Sequence, residues 1–345
     1  RIHYSSARED VFRRDFTING LLMDAGTGEI IDYVNGRADI AGKIIRTIGD
    51  PAVRFSEDYL RMLRAIRFAA NLDFSLDAAT KKAIVAHASK IKETSAERIQ
   101  EELNKILTRG GARRGFEMMA ETGILKQILP EVDSMRGVLQ PPRFHPEGDV
   151  WEHTMIMMEM LSNEARQDAE PMLAWGVLLH DVGKPVSRSE DESGVHFYGH
   201  VKRGETIADG LMHRLRFSRM QRETVLNLIH QHMVFMNVKK MRQARLKRFL
   251  RMKDFDLHLH LHRLDCLASH GMLDNYEFCL EKMQSLEQED LHPTRLLTGD
   301  DLLAIGFAPG KLIGEILRSL EEEQLENRIS DKEEALAFVR DRWTA

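Results

Sequence analysis

Glu57-Asp58-Tyr59-Leu60-Arg61-Met62-Leu63-Arg64-Ala65-Ile66-Arg67-Phe68-Ala69 is the most informative stretch of the chain. Asp58, Arg61, Arg64 and Arg67 recur every three residues. On a helix each such step falls about 60° short of a full turn, so the row drifts slowly around one side. One carboxylate and three guanidiniums then border a helix whose Leu60, Leu63 and Ile66 pack inward. Guanidinium forks match phosphate oxygens, and an Asp beside an Arg offers both acceptors and donors to a base edge. A salt-bridged amphipathic helix uses the same residue types, so the surroundings decide between the two readings.

Upstream, Arg13-Arg14-Asp15 enters an apolar strand pattern over 16–23, a Gly26–Gly28 turn follows, and Ile30-Ile31-Asp32-Tyr33-Val34 closes a hairpin. A third short strand is expected over 43–48. From Ser56 onward the period is helical, with helices expected over 56–71, 78–91, 95–107 and 111–122. Gln140-Pro141-Pro142 reads as a linker. Further helices are expected over 150–163, 171–181, 201–215, 218–233, 243–250 and 255–269, with a polar loop over 187–194. A final pair of helices follows Thr298 and Gly310. The fold class is therefore α+β, predominantly α.

The 345 residues are 43% hydrophobic and 30% charged, an ordinary globular balance with room for two or three domains. Two cysteines, Cys266 and Cys279, exclude a disulfide framework and favour a reducing cytoplasm. The longest apolar run, near Met172 to Leu179, is far short of the ~20 residues that span a bilayer, so no membrane partner is expected. A net charge of −5 does not announce a nucleic-acid binder, although a global sum hides local patches. The chain opens on Arg1, not Met.

Four ordered stretches resemble successive motifs of the class II tRNA nucleotidyltransferase and poly(A) polymerase family. They are residues 13–20, Asp32…Gly36…Asp39, residues 57–69, and Ala96-Glu97-Arg98-Ile99-Gln100-Glu101-Glu102-Leu103-Asn104-Lys105-Ile106-Leu107. The resemblance covers essentially the whole chain. It implies that Arg14 touches a triphosphate and Asp15 a ribose. It implies that Asp58 and Arg61 read the Watson–Crick edge of ATP or CTP, and that Arg64 and Arg67 lie near the triphosphate. The segment from Asp32 to Asp39 would be a hinge, and residues 96–107 would brace the nucleotide-binding helix. It also implies a partial polymerase-beta-like palm over 1–55 and a helical neck over 56–138. The family's transfer chemistry uses Mg²⁺ held by paired carboxylates after a Gly-rich loop. The fourteen residues before Asp15 hold neither, so no catalytic residue for transfer is identified. The palm is expected to be entered partway, and these 345 residues alone are expected to transfer no nucleotide.

A second pattern is histidine-rich: His145-Pro146-Glu147-Gly148-Asp149-Val150-Trp151-Glu152-His153, then Leu178-Leu179-His180-Asp181-Val182-Gly183-Lys184, His200, His230-Gln231-His232 and His262-Arg263-Leu264-Asp265. An adjacent His and Asp give one metal two ligands of different hardness, and a distant His and Asp complete such a site. This resembles the HD-domain metal phosphohydrolases. The resemblance implies His153, His180, Asp181 and Asp265 as the basic ligand set, with His200 and His232 as additional ligands. His230 competes with His232, and His258 and His262 share a helix face with Asp265 as alternatives. Ni²⁺, Mn²⁺, Fe, Zn²⁺ and Mg²⁺ all suit such ligands. The HD domain is expected over 139–290 and a helical tail over 291–345.

Residues 239–253 carry eight Lys or Arg, and Lys239, Lys240, Arg242, Arg245 and Arg248 are the candidate RNA contacts. The acidic stretch over 321–326 reads as a solvated helix face. The expected function is tRNA 3′-terminal CCA addition from ATP and CTP, with tRNA as partner and an HD phosphohydrolase activity for end repair. The rivals are a poly(A) polymerase, an enzyme adding only A or only CC, and a stand-alone HD phosphohydrolase with a nucleotide- or RNA-binding front end. No oligomeric state is assigned.

Overall fold

The computed structural model describes residues 6–165, 169–286, 291 and 293–343, so the opening Arg1 to Tyr4 lies outside the described residues. The chain forms two compact units. One comprises residues 1–230 together with Leu264–Gly271; the other comprises Gln231–Arg263 and Met272–Ala345. Helices dominate both, and among the described residues the few strands form three two-stranded sheets, in keeping with an α+β, predominantly α chain.

The first unit opens with α1 (Ala7–Arg13), a helix the sequence pattern did not reveal, started by a capping box between Ser6 and Glu9. The expected hairpin is present but shorter. β1 (Leu21–Met23) pairs antiparallel with β2 (Ile30–Asp32), placing Leu22 opposite Ile31. Residues 16–20 are not strand. Phe16 makes a single bridge to Thr47, and the chain then turns through Thr17–Asn19 as a 3₁₀ helix. Of the third expected strand only β3 (Ile44–Ile45) forms, pairing in parallel with β4 (Ser75–Leu76).

The segment expected as a hinge, Asp32 to Asp39, is a packed polar joint. Asp32 accepts the backbone N–H groups of Val34, Gly36 and Arg37, which starts the short helix α2 (Gly36–Ala41). Gly36 is needed because a Cβ there would stand 2.2 Å from the Thr17 carbonyl oxygen. Asp39 is buried, accepts the Thr17 hydroxyl at 2.7 Å, and shares Arg46 with Asp77.

The helical region departs from expectation at its most important point. The single helix expected over 56–71 is two helices, α3 (Pro51–Glu57) and α4 (Leu60–Asn71). Asp58 sits at the break in an extended conformation, and its carboxylate accepts the Leu60 N–H at 3.1 Å. Aspartate competes well for backbone donors at a helix start, so it ends one helix and begins the next. α5 (Ala78–His87) is capped by Asp77, and α6 (Ala96–Thr108) and α7 (Ala112–Glu121) follow. α4 packs against both α6 and α7, with Leu63, Ala65 and Ile66 buried. Glu102 of α6 is buried inside this packing and faces Arg67 at 2.6 Å, Lys105 at 3.0 Å and Arg64 at 3.9 Å.

The rest of this unit is built on α10 (Val150–Ala165), α11 (Pro171–Leu179), α13 (His200–Arg214) and α14 (Arg219–Gln231). α11 is apolar on every face, and all its residues from Met172 to Leu179 are buried, as such a composition demands. Trp175 ties it to α6 by donating its indole N–H to Asn104 at 2.7 Å. The polar stretch expected as a loop over 187–194 instead carries a hairpin, Ser189–Asp191 against Gly194–His196, turned by Asp191 accepting the Ser193 N–H.

The second unit contains α15 (Gln243–Leu250), most of α16 (Phe255–Ala268), α17 (Asp274–Ser285) and three further helices, Gly299–Ala304, Lys311–Leu325 and Lys332–Arg342. Phe235, Phe249, Phe255 and Cys279 form one core; Leu302, Phe307, Ile316 and Val339 form another. The acidic stretch is not merely solvated. Glu322 pairs with Arg248, Glu321 with Arg251, and Glu326 accepts the Ala244 N–H. Both cysteines are buried, and neither is in a disulfide. Among the described residues no helix is long and apolar enough to cross a membrane.

Glu102→Gln should leave the buried Arg67 guanidinium uncompensated and cost about 3–5 kcal/mol, the usual consequence of removing one partner of a buried pair. Burial works to raise the Glu102 pKa, but Arg67 and Lys105 outweigh it and hold it below the ordinary 4.5. A carboxylate held low contributes stability above its unfolded pKa and loses it as pH falls through its folded value. Urea denaturation should therefore show the full gap between the variant and the native chain at pH 7, closing progressively below about pH 4.

Candidate nucleotide and metal sites

The candidate nucleotide-reading residues are set by helix ends. Asp58, at the α3–α4 break, is gripped by Arg98 of α6, whose two terminal nitrogens donate to separate carboxylate oxygens at 3.2 and 2.7 Å. Burial pushes the Asp58 pKa up, but Arg98, the Leu60 N–H and Arg61 together hold it below the ordinary value, so it is an acceptor at neutral pH. Arg61 stands in the first turn of α4, donating to Glu57 at 2.5 Å and to the Arg54 carbonyl at 2.9 Å. Arg64 donates to Asp15 at 2.7 Å, and Asp15 also accepts from Asn19 and from the Phe16 N–H. Arg14 donates to Asp10 and to the Asn19 carbonyl.

Arg67 is the member of the row that turns inward. It is buried, paired with Glu102 and laid over the Phe68 ring, with its guanidinium carbon 4.0 Å from the centroid. The family resemblance implies a place near the triphosphate; the drift of the row carries its side chain into the α4–α6 interface. Arg98, Glu57 and Glu102 were not singled out from sequence. All three lie within stretches that were, and a pairing test of Asp58 against the basic residues of 96–107 would have found Arg98.

The second centre gathers three elements of the first unit. His153 comes from α10, His180 and Asp181 from the end of α11, and Asp265 from the last turns of α16. His153, His180 and Asp265 each offer a ligand atom within 4.8 Å of the others. His153 is fully buried, its Nδ1 2.6 Å from Glu147 and its Nε2 3.2 Å from Asp265. Among the described residues that buried Nε2 has no well-formed hydrogen bond, its contact with Asp265 being an ion pair, which fits a nitrogen shaped for an ion. His180 turns Nδ1 toward the Val177 carbonyl at 2.9 Å, leaving Nε2 as its ligand atom. Asp181 stands 3.6 Å from His200 Nε2 and 2.6 Å from the Lys184 ammonium, which also donates to Gln140.

The electrostatics suit a cation. Burial alone would lower the His153 pKa, yet the Asp265 and Glu147 carboxylates raise it to about 9. Burial works to raise Asp181, but Lys184, His180 and His200 overcome it and hold it well below the usual carboxylate range. Asp265 is likewise held low by His153 against the effect of burial. A metal ion and a proton compete for such a histidine, and two ionised carboxylates favour the metal.

His230, the alternative to His232, is exposed and paired with Glu205 at 2.7 Å. His232 belongs to the second unit and is buried there. His258 and His262 also belong to the second unit; His262 stacks on Phe235 at 4.4 Å, and burial pushes His258 down to about 4. Of the candidate RNA contacts, Lys239, Lys240, Arg242 and Arg245 are exposed, whereas Arg248 is partly buried by its pairing with Glu322.

These features define a nucleotide-handling protein with a separate metal-type centre. The sequence pattern of the Poly A polymerase head domain matches residues 1–46, that of the probable RNA and SrmB-binding site of polymerase A matches residues 73–136, and that of the HD domain matches residues 150–263. The A-adding tRNA nucleotidyltransferase of Deinococcus radiodurans is 31% identical over 97% of this chain and 79% of its own. The CC-adding tRNA nucleotidyltransferase of Thermus thermophilus is 32% identical over 96% of this chain and 76% of its own. The CCA-adding enzyme of Bacillus stearothermophilus, solved in complex with CTP, shares the fold with a TM-score of 0.70 at 22% identity, over 98% of this chain and 75% of that one. The chain belongs to the tRNA nucleotidyltransferase family, and it carries an HD domain.

Gly183 fixes the geometry of the second centre. A Cβ there would stand 2.1 Å from the His200 carbonyl oxygen and 2.5 Å from the Gly204 nitrogen, both backbone atoms. Gly183→Ala must therefore displace the start of α13, which carries His200. It should cost about 1–3 kcal/mol, as overpacking does, measured by urea denaturation. A variant as stable as the native chain would show that the two backbones are not in close contact.

Proposed function

We propose that this chain belongs to an enzyme that adds the 3′-terminal CCA of tRNA from CTP and ATP, and that its HD domain is a divalent-metal phosphohydrolase acting on RNA ends. The observation that carries the first part is the acceptor–donor pair made by Asp58 and Arg61. Adenine and cytosine share one Watson–Crick feature: an exocyclic amino donor beside a ring-nitrogen acceptor. An ionised carboxylate next to a guanidinium complements that order. Guanine and uracil present a carbonyl acceptor beside an N–H donor, which sets acceptor against acceptor and donor against donor. Arg98 and Glu57 hold the two readers in place, so their order is preset before a base arrives. Arg14 and Arg64 are the cations proposed for the triphosphate, and Asp15 for the ribose. Arg67 supports them from the interior.

Mg²⁺ is proposed for transfer, where it would hold the α-phosphate against the attacking hydroxyl. In the HD domain, His153, His180, Asp181 and Asp265 would hold a divalent ion, with His200 and His232 as further ligands; Ni²⁺, Mn²⁺ and Mg²⁺ are the candidates. Such an ion lowers the pKa of bound water and polarises a phosphoryl oxygen. Lys184 adds a fixed positive charge that favours an anionic phosphate. Lys239, Lys240, Arg242 and Arg245 are proposed to meet the tRNA backbone, with Arg248 contributing less because Glu322 already engages it. A cytoplasmic location fits a tRNA substrate. Two relatives that align along most of the chain are named for A addition and CC addition, which favours division of the CCA sequence between enzymes as the second reading.

The test uses the protein carrying these 345 residues, with tRNA lacking its 3′ end and labelled CTP or ATP. Asp58→Ala should reduce incorporation of the cognate label by at least about 10-fold, since one good base contact is worth ~1–3 kcal/mol. Incorporation of both labels supports CCA addition. Incorporation of one alone supports the divided activity, and of neither contradicts the transferase reading. In parallel, hydrolysis of 2′,3′-cyclic AMP with added Ni²⁺ should be lost in His180→Ala; equal hydrolysis by both proteins would remove the HD reading.

A further inference from the structure

Glu147 lies in the loop before α10, and neither the four-ligand pattern nor the nucleotide-reading residues account for it. Its side chain is almost fully buried. One oxygen, Oε1, stands 2.6 Å from His153 Nδ1 and 2.8 Å from His145 Nδ1. Its other oxygen is buried with no hydrogen-bond partner among the described residues. A carboxylate is a costly group to bury, and two imidazole N–H groups directed at one oxygen are what compensate it.

We propose that Glu147 is the outer carboxylate that positions His153 as a metal ligand, an inference that rests on the HD metal reading. An ionised carboxylate can only accept, so the proton of His153 is drawn to Nδ1. Nδ1 is then the nitrogen that keeps its proton when an ion displaces the proton of Nε2, the nitrogen beside Asp265. The ring is also held edge-on by His145, whose centroid is 5.1 Å away at 87°, and by His180 at 5.5 Å. Glu147 thus fixes the tautomer and the ring orientation together. His145 acts on Glu147 in turn, as the second donor that keeps the carboxylate from rotating away.

The alternative is that Glu147 only staples its loop. The loop does not need it. Asp149 accepts the Gly137 N–H at 2.6 Å and the Glu152 N–H at 2.7 Å, Val150 donates to the Val138 carbonyl at 3.0 Å, and Leu139 bridges Asp149. The anchor of the loop and the contact with His153 are therefore made by different residues, and substitutions at Glu147 separate them.

The experiment titrates Ni²⁺ alone into the metal-stripped native chain, His180→Ala, Glu147→Ala and Glu147→Gln by calorimetry, with melting of each metal-free protein alongside. Loss of an outer carboxylate should weaken Ni²⁺ binding by about 10–100-fold in Glu147→Ala. In Glu147→Gln the amide oxygen still accepts from Nδ1 while the charge is gone, so a loss of about 10-fold or less is expected, together with a normal metal-free melt. Co²⁺ absorption should shift in both variants as the His153 ring reorients. Native affinity in both Glu147 variants, with or without a lower melting temperature, would overturn the positioning role and leave the metal reading intact. Native affinity in His180→Ala would overturn the metal reading itself.

Discussion

One buried carboxylate, Glu102, organises the packing around the proposed nucleotide-reading residues. It has almost no contact with water, and it faces Arg67, Lys105 and Arg64. A lone charge in that position would be prohibitive, so the arginines of α4 are not free to wander. Arg67 is committed to Glu102. Arg64 lies between Glu102 and Asp15 and so joins α4 to the first turn of the chain. One helical turn before Glu102, Arg98 holds Asp58. α6 therefore holds both ends of the row from Asp58 to Arg67, the row proposed to read the nucleotide. The stretch that reads from sequence as plain bracing is bracing, and its polar residues do the aiming.

The same constraint governs the HD centre. Four ionisable side chains, His153, His180, Asp181 and Lys184, are buried together, and each is held by a neighbour of opposite or complementary character. α11 brings two of them there because an all-apolar helix has nowhere else to go but the interior. Its C-terminal end then delivers His180 and Asp181 together. Close backbone approach at Gly183 brings α13 alongside. The chemistry is placed by packing that is itself apolar and ordinary.

Much of this was legible in the sequence. Periodicity located the long helices from α5 to α16 to within a few residues at most boundaries, because their apolar faces repeat over several turns. Family order singled out His153, His180, Asp181 and Asp265, and the ligand atoms of His153, His180 and Asp265 lie within 4.8 Å of one another. What periodicity missed were features decided by single polar side chains. Asp58 breaks a helix by capping Leu60, Asp32 starts α2 by collecting three N–H groups, and Asp191 turns a hairpin in a polar stretch. Partners distant in sequence were equally hidden: Arg98 for Asp58, Glu102 for Arg67, and the acidic face of Lys311–Leu325 for Arg248 and Arg251. Glu147 was visible between two histidines, but nothing in its spacing distinguishes a ligand from the carboxylate behind one.

Base selection by the Asp58–Arg61 pair is the claim on which the functional reading turns, and equilibrium binding measures it without requiring transfer. CTP, ATP, UTP and GTP should each be titrated by calorimetry into the protein and into Asp58→Ala. At least one of CTP and ATP should bind more tightly than both UTP and GTP by about 1–3 kcal/mol, and Asp58→Ala should erase the difference while retaining the weaker, triphosphate-driven affinity. Equal affinity for all four nucleotides in the native protein, or discrimination that survives Asp58→Ala, would contradict it.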